Sequence, residues 1–189
     1  MNKIGLCLGV MGGMLLVACG DDTGSGGAGG GSGGSGGAGG EVPGFTEAEV
    51  VTAFESFTAS GFTRVTMDAA MSQHAASDLV IVWVNDEALD QYLAIDPADT
   101  EATSDPFPVG TILVKQGANA DGEPDGAATV MAKFDEGFNA EAGDWWWGRF
   151  STAGELAESG AVGFCISCHD GNGFARNDYV AGTPIENRL

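Results

Sequence analysis

Thirteen of the twenty-one residues from Gly20 to Gly40 are glycine, and most of the others are serine or alanine. Such a run cannot enter a fold, because glycine loses the most backbone freedom on ordering and nothing apolar is present to offset that loss. The segment reads as a flexible tether with a mean reach of roughly 25 Å. It divides the chain of 189 residues into a head, residues 1–18, a tether, residues 19–40, and one foldable body, residues 41–189. That body is large enough for a single hydrophobic core.

The head opens with Met1-Asn2-Lys3 and continues as an apolar run from Ile4 to Ala18. The run is too short and too broken by glycine to span a bilayer comfortably, and it has the character of an export signal. It ends in Leu16-Val17-Ala18-Cys19, which resembles the lipobox of bacterial lipoproteins. The resemblance implies cleavage before Cys19 and diacylglycerol on its sulfur. An ordinary signal with an incidental cysteine is the alternative, and it leaves a tether directly behind that cysteine without a purpose. Acyl chains bind a membrane at about 0.8 kcal/mol per buried methylene, and the tether lets the body clear the surface. The expected location is therefore the exported side of a bacterial membrane, periplasmic or surface-facing. Gly20, rather than aspartate, after Cys19 favours the outer membrane by analogy with known lipoproteins.

Seven Lys and Arg stand against twenty-seven Asp and Glu, and loss of Lys3 with the head takes the formal charge from −20 to −21. A surface of that sign repels phosphate backbones, so nucleic acid is not expected as a partner. It suits an encounter with a basic redox protein, although solubility alone accounts for most of the charges.

Within the body, Phe45-Thr46-Glu47-Ala48-Glu49 is a helix start: Thr46 and Glu49 form a capping box, and Phe45 can staple onto Val50. Val50, Val51, Phe54 and Phe57 then share a face, and Gly61 supplies a stop. Asp78 to Asn85 is a β-branched apolar run that predicts a buried strand, and Asn85 is placed to cap a short helix carrying Ala88, Leu89, Tyr92 and Leu93. Three further strands are expected, in "VGTILVKQG", "ATVMAKFDE" and "DWWWGRFSTAG", joined by polar loops as an antiparallel meander. Trp145 and Trp147 fall on one strand face, Trp146 and Phe150 on the other, mostly as core. The last thirty residues are rich in glycine, with a brief helix around Phe164 to His169. The fold class is α+β, mainly antiparallel sheet with a few helices.

Once the head is removed and Cys19 set apart, two thiols remain, in Cys165-Ile166-Ser167-Cys168-His169. C-x-x-C-H is the attachment signature of c-type haem. Two thiols one helical turn apart can add to the two vinyl groups of a porphyrin, and the adjacent imidazole is then held under the iron as an axial ligand. A structural zinc site wants four ligands, and the only other histidine is His74. A thioredoxin-like motif wants a βαβ unit, which is not evident, and a two-residue disulfide loop stabilises little. One covalent haem c is the reading, on Cys165, Cys168 and His169. Met67, Met71, Met131 and His74 are the candidates for a sixth ligand. Met131 sits among strand core residues and the others lie in an irregular segment, so the sixth position is read as open.

"FPVGTILVKQ", "VMAKFDEGFNAEAGDWWWGRF" and "CISCHDGNGFARNDYV", in that order, resemble the blocks of the cytochrome P-460 family, as does "DLVIVWVNDEALDQYL" before them. The resemblance runs from about Phe62 to Tyr179. It implies an antiparallel sheet packed on a c-type haem, a pentacoordinate iron and usually a homodimer. Hydroxylamine oxidases of that family carry a bond from a lysine to a porphyrin meso carbon, and the matching position is Lys115. From the residues alone, Lys115 shares a strand face with Thr111 and Leu113, which leaves an edge facing water or a special task. Lys133 is the fallback, its plainer reading being a solvated strand end. Counting back without gaps from Lys133, the pocket glutamate of the hydroxylamine-oxidising members is Thr129 here. A threonine hydroxyl cannot serve as a base near neutral pH; Glu123 or Asp125 could substitute if the preceding loop folds inward.

The functional expectation is oxidation of hydroxylamine or a related small nitrogen oxide at an open iron, with electrons passing to a soluble cytochrome. The alternatives are nitric oxide binding without turnover, which the family also includes, and electron transfer with a filled sixth site. Three other signals are weaker. Arg64, Arg149 and Arg176 are candidate partners of haem propionates, Asp170 could orient the imidazole, and Asp121 to Gly126 begins like a calcium loop but fails at Ala132.

Overall fold

The computed structural model describes residues 44–72 and 79–189. The signal, Cys19, the tether and His74 lie outside them.

Helix α1 (Glu47–Ser56) begins as its sequence directs. The Thr46 hydroxyl accepts from the Glu49 amide, and the Glu49 carboxylate accepts from the Thr46 amide at 2.8 Å, closing the capping box. The Thr46 hydroxyl also donates to that carboxylate at 2.7 Å, and this bond, followed by that of the Thr46 amide, holds the Glu49 carboxyl below its ordinary 4.5. The cap is therefore complete above pH 4.5 and is lost as pH falls through the lowered value. The Thr46 amide proton shift is expected to titrate with a midpoint below 4.5, and a midpoint at or above it would mean an unformed box.

Among the described residues the sheet has seven antiparallel strands. They are β1 (Phe62–Arg64), β2 (Ala70–Met71), β3 (Leu79–Asn85), β4 (Ile112–Ala118), β5 (Pro124–Lys133), β6 (Trp145–Phe150) and β7 (Leu156–Gly160). β3 to β7 run as neighbours in chain order, while β1 and β2 share the outer edge of β3. After β3 come a 3-10 turn and helix α2 (Leu89–Ala94); after β7 comes helix α3 (Gly163–Gly171). Asn85 stands at the turn's N-cap position but does not cap it with its side chain. Its amide instead bridges to the next strand, donating to the Gly110 carbonyl and accepting from the Ile112 amide.

Period-two alternation sorts the apolar residues onto two faces. Val50, Phe54 and Phe57 of α1 pack with Ile112, Val114, Val130, Trp146 and Phe150 on one face. Val82, Val84, Leu113, Met131, Trp145 and Trp147 face the other way, against Tyr92, Phe107 and Val180, with Cys165 and Ile166 of α3 packed alongside. Both faces are covered, so the sheet is a middle layer. Gly148 is fixed by this packing: a Cβ there would stand 2.3 Å from the Trp146 ring, which is 1% exposed. Gly148→Ala is expected to destabilise the fold by about 1–3 kcal/mol, read as a lower denaturant midpoint. An unchanged midpoint would mean that the Trp146 ring yields freely.

Candidate functional site

The face turned toward α3 carries two side-chain rows. Leu113, Met131 and Trp147 stand opposite one another across β4, β5 and β6, and Lys115, Thr129 and Arg149 form the next row. Val82 of β3 pairs with Lys115, and Glu158 of β7 pairs with Arg149. The first row is an apolar floor and the second a polar line. Together with Cys165, Cys168 and His169 of α3 they enclose a cavity of about 260 Å³.

Lys115 lies on a central strand, between β3 and β5, so the edge reading does not apply. It is only half-buried because it borders the cavity, yet burial still pushes its ammonium down to about 8, against a smaller opposing effect of Cys168. A larger share of neutral, nucleophilic amine results than an ordinary lysine has. Thr129 stands directly across from it in register and also lines the cavity. Glu123 and Asp125 do not line it; they belong to the β4–β5 hairpin, where the Asn119 side chain accepts from the Asp121 and Glu123 amides. The acid-rich run is thus a turn leading into a strand that starts at Pro124, earlier than the sequence pattern predicted.

Cys165 and Cys168 are both free thiols, and α3 presents both to the cavity. Burial pushes the Cys165 thiol up, with the Glu158 carboxylate adding to the effect. His169 is buried, at 6% exposure, and its Nδ1 lies 2.6 Å from the Tyr179 carbonyl oxygen. A carbonyl only accepts, so the proton is on Nδ1 and a neutral ring carries its lone pair on Nε2. Burial pushes the imidazole down to about 4, more than the Tyr179 bond raises it, and the Lys115 charge lowers it further. Near neutral pH the ring is therefore in the form that ligates metals. Trp147 meets it edge-on, with centroids 4.6 Å apart.

Several expectations change here. Asp170 is exposed and is not the acceptor for the imidazole; one helical step of about 100° turns it away, and the Tyr179 carbonyl takes that place. Lys133 is neither a solvated strand end nor a wall of the cavity. It is buried, and its Nζ donates to Asp178 Oδ2 at 2.6 Å. Of the three arginines expected at propionates, Arg149 lines the cavity, beside Glu158 at 3.5 Å. Arg64 and Arg176 instead bond backbone carbonyls in their own loops. Met71 and Met131 line the cavity and Met67 does not. The Tyr179 carbonyl had no sequence signal, being a backbone atom.

The residues fit a haem of the c type. Two thiols a turn apart, a neutral imidazole and an apolar floor meet in one cavity. The Trp147 indole N–H, buried at its wall, has no hydrogen-bond partner, whereas those of Trp83, Trp145 and Trp146 do. Among the described residues it is the one such orphaned side-chain donor that lines this cavity, and it is free to meet an acceptor atom of a bound group. The class that this fold and site define is a c-type haem protein. Residues 59–181 match the family model described as Cytochrome P460, and the chain belongs to that family. No curated protein and no solved structure matches the chain.

Proposed function

We propose that the chain is an exported cytochrome, lipid-anchored through Cys19, that oxidises hydroxylamine or a related small nitrogen oxide at a single covalent haem. The observation that carries this reading is Lys115: a lysine at the centre of the sheet, facing the same cavity as the C-x-x-C-H helix. A bound c-type haem supplies a one-electron iron couple and a coordination position for a small ligand. The chain supplies the rest. Cys165 and Cys168 would tether the group, and His169 would hold the iron through the ring nitrogen that does not face the Tyr179 carbonyl. Lys115 is assigned the lysine–porphyrin bond of the family's oxidases. Val82, Leu113 and Met131 keep the floor apolar and exclude water. Arg149, at the rim, is the candidate partner of a propionate. Electrons leave to a soluble cytochrome, for which the acidic surface is a docking field. A homodimer is part of the same proposal.

Thr129 favours a second reading, nitric oxide capture without turnover, because the direct neighbours of Lys115 across the sheet are Val82 and Thr129, and the one carboxylate of that row, Glu158, stands two strands beyond Thr129, beside Arg149. Thr129→Glu separates the two. If proton transfer limits oxidation, the added carboxylate is expected to raise turnover by roughly 10²-fold, the usual contribution of a positioned base. No gain in a haem-loaded variant would favour capture.

The experiment that tests the main reading is the visible spectrum of the mature haem-loaded protein, oxidised and then reduced with dithionite. A ferrous Soret band far to the red of ordinary c-haem supports the lysine bond and the oxidase reading. An ordinary high-spin spectrum removes the bond and leaves gas binding.

A further inference from the structure

Asp178 and Tyr179 both sit in the left-handed region, at φ 50° and 65°, one after the other. Only one other described non-glycine residue, Asp144, has a positive φ. A bulky residue in that region persists only where its surroundings over-determine the backbone. Here they do. The Lys133 ammonium donates to Asp178 Oδ2 at 2.6 Å and the Phe107 amide donates to the same oxygen at 2.8 Å. The Trp145 indole donates to the Asp178 carbonyl at 2.6 Å, and the Lys133 ammonium lies 5.1 Å from that indole's ring centre. Asp178 is thus clamped at both its side chain and its carbonyl. The next carbonyl along the chain is the one that His169 Nδ1 meets.

Both side chains of the Lys133–Asp178 pair are only 9% exposed. A buried pair of this kind is a poor source of stability, since apolar residues of similar volume commonly do as well. What it supplies is a fixed geometry. A hydrogen bond from the Nδ1 proton of a metal-bound imidazole raises the basicity of the ring, and its strength depends on how firmly the acceptor is held.

We propose that the Lys133–Asp178 ion pair is a positioning device for the axial imidazole: it holds the strained Asp178–Tyr179 turn so that the Tyr179 carbonyl is locked on His169, and so sets how strongly that ring donates to the iron. The inference rests on His169 being the axial ligand. Lys133 then acts through three partners, from the far end of a strand whose Thr129 lines the cavity.

The test uses the full, haem-loaded chain and two readouts other than activity: the reduction potential, and the iron–imidazole stretching frequency of the ferrous protein by resonance Raman. In Lys133→Met the ammonium is lost while its volume is kept. The stretch is expected to fall in frequency and the potential to rise, because a weaker donor stabilises the ferric state less. Asp178→Asn, which keeps an acceptor for the Phe107 amide, moves both in the same direction by a smaller amount and serves if Lys133→Met does not fold. Lys133→Arg is expected to return both toward the parent. Glu47→Ala removes the partner of Trp146 on the opposite face of the sheet, and is expected to lower stability while leaving both readouts unmoved. Parental frequency and potential in a folded Lys133→Met protein would overturn the proposal. So would an equal shift in Glu47→Ala, which would make the effect one of general loosening. A ferrous spectrum that His169→Gly leaves unchanged in the haem-loaded protein would overturn the ligand assignment itself, and this inference with it.

Discussion

In a chain that already carries Lys115→Ala, and so has no lysine–porphyrin bond, replacing Cys165 and Cys168 together by alanine is expected to yield a protein whose haem is lost completely on denaturation. The two thiols stand one turn apart on α3 and border the same cavity, so a bound porphyrin has both within one helical turn. Each single variant keeps one possible thioether and should retain attached haem in lower yield. The double variant keeps His169 and the apolar floor of Leu113, Met131 and Trp147, so it can still hold haem non-covalently. The native spectrum is therefore a poor test, and the denatured chain is the right one. Haem staining after denaturing electrophoresis, with the intact mass, reads the result directly. Haem that still travels with the double variant in the Lys115→Ala background would overturn the thioether assignment and leave another side chain to account for the bond.

Local rules made most of the sheet legible. The capping box of α1 needs only residues three apart, and β3, β4 and β6 are near-continuous apolar runs, in which the period of two along a strand assigns successive side chains to opposite faces. The opposed directions of Trp145 and Trp146 follow from that parity and recur in the two core clusters, as do those of Val114, in one cluster, and Lys115, at the cavity on the other face. The C-x-x-C-H motif was legible as a spacing, and the fold brings both thiols and His169 to one cavity. β7 was not legible. It is an edge strand with no fully buried residue, so Leu156 to Gly160 has no apolar period to read. β1 and β2, at three and two residues, are too short to show one.

The errors at the site have a different origin. Lys133 and Asp178 are forty-five positions apart, and a lysine at a strand end is ordinarily solvated; only the tertiary fold brings the carboxylate to it. Asp170 was the nearest acceptor to His169 along the chain, but the helix turns it outward while a distant backbone carbonyl arrives. Proximity in sequence misled in both cases. Side-chain parity along a strand survives into the fold, whereas the choice of hydrogen-bond partner is settled by which chain segments meet.

Lys115→Ala is expected to keep its covalent haem, to give the spectrum of an ordinary high-spin c-haem, and to lose hydroxylamine oxidation by roughly 10- to 100-fold, the usual consequence of removing a group that tunes a metal site. Attachment should survive because Lys115 lies on β4, whereas the thiols and His169 lie on α3. The fold should survive because the side chain ends in a cavity instead of a packed core, and removing a buried ammonium also removes the desolvation that pushes it down to about 8. Loss of turnover with retained haem would place the lysine in the chemistry. The case against it is equally definite: a variant with parental spectrum and parental turnover would make Lys115 a wall residue. Lys115→Arg sharpens the comparison, since a guanidinium keeps the charge in the polar row with Thr129 and Arg149 but has no amine to bond the porphyrin. If that variant behaves as Lys115→Ala does, the bond matters; if it behaves as the parent does, the charge alone is sufficient.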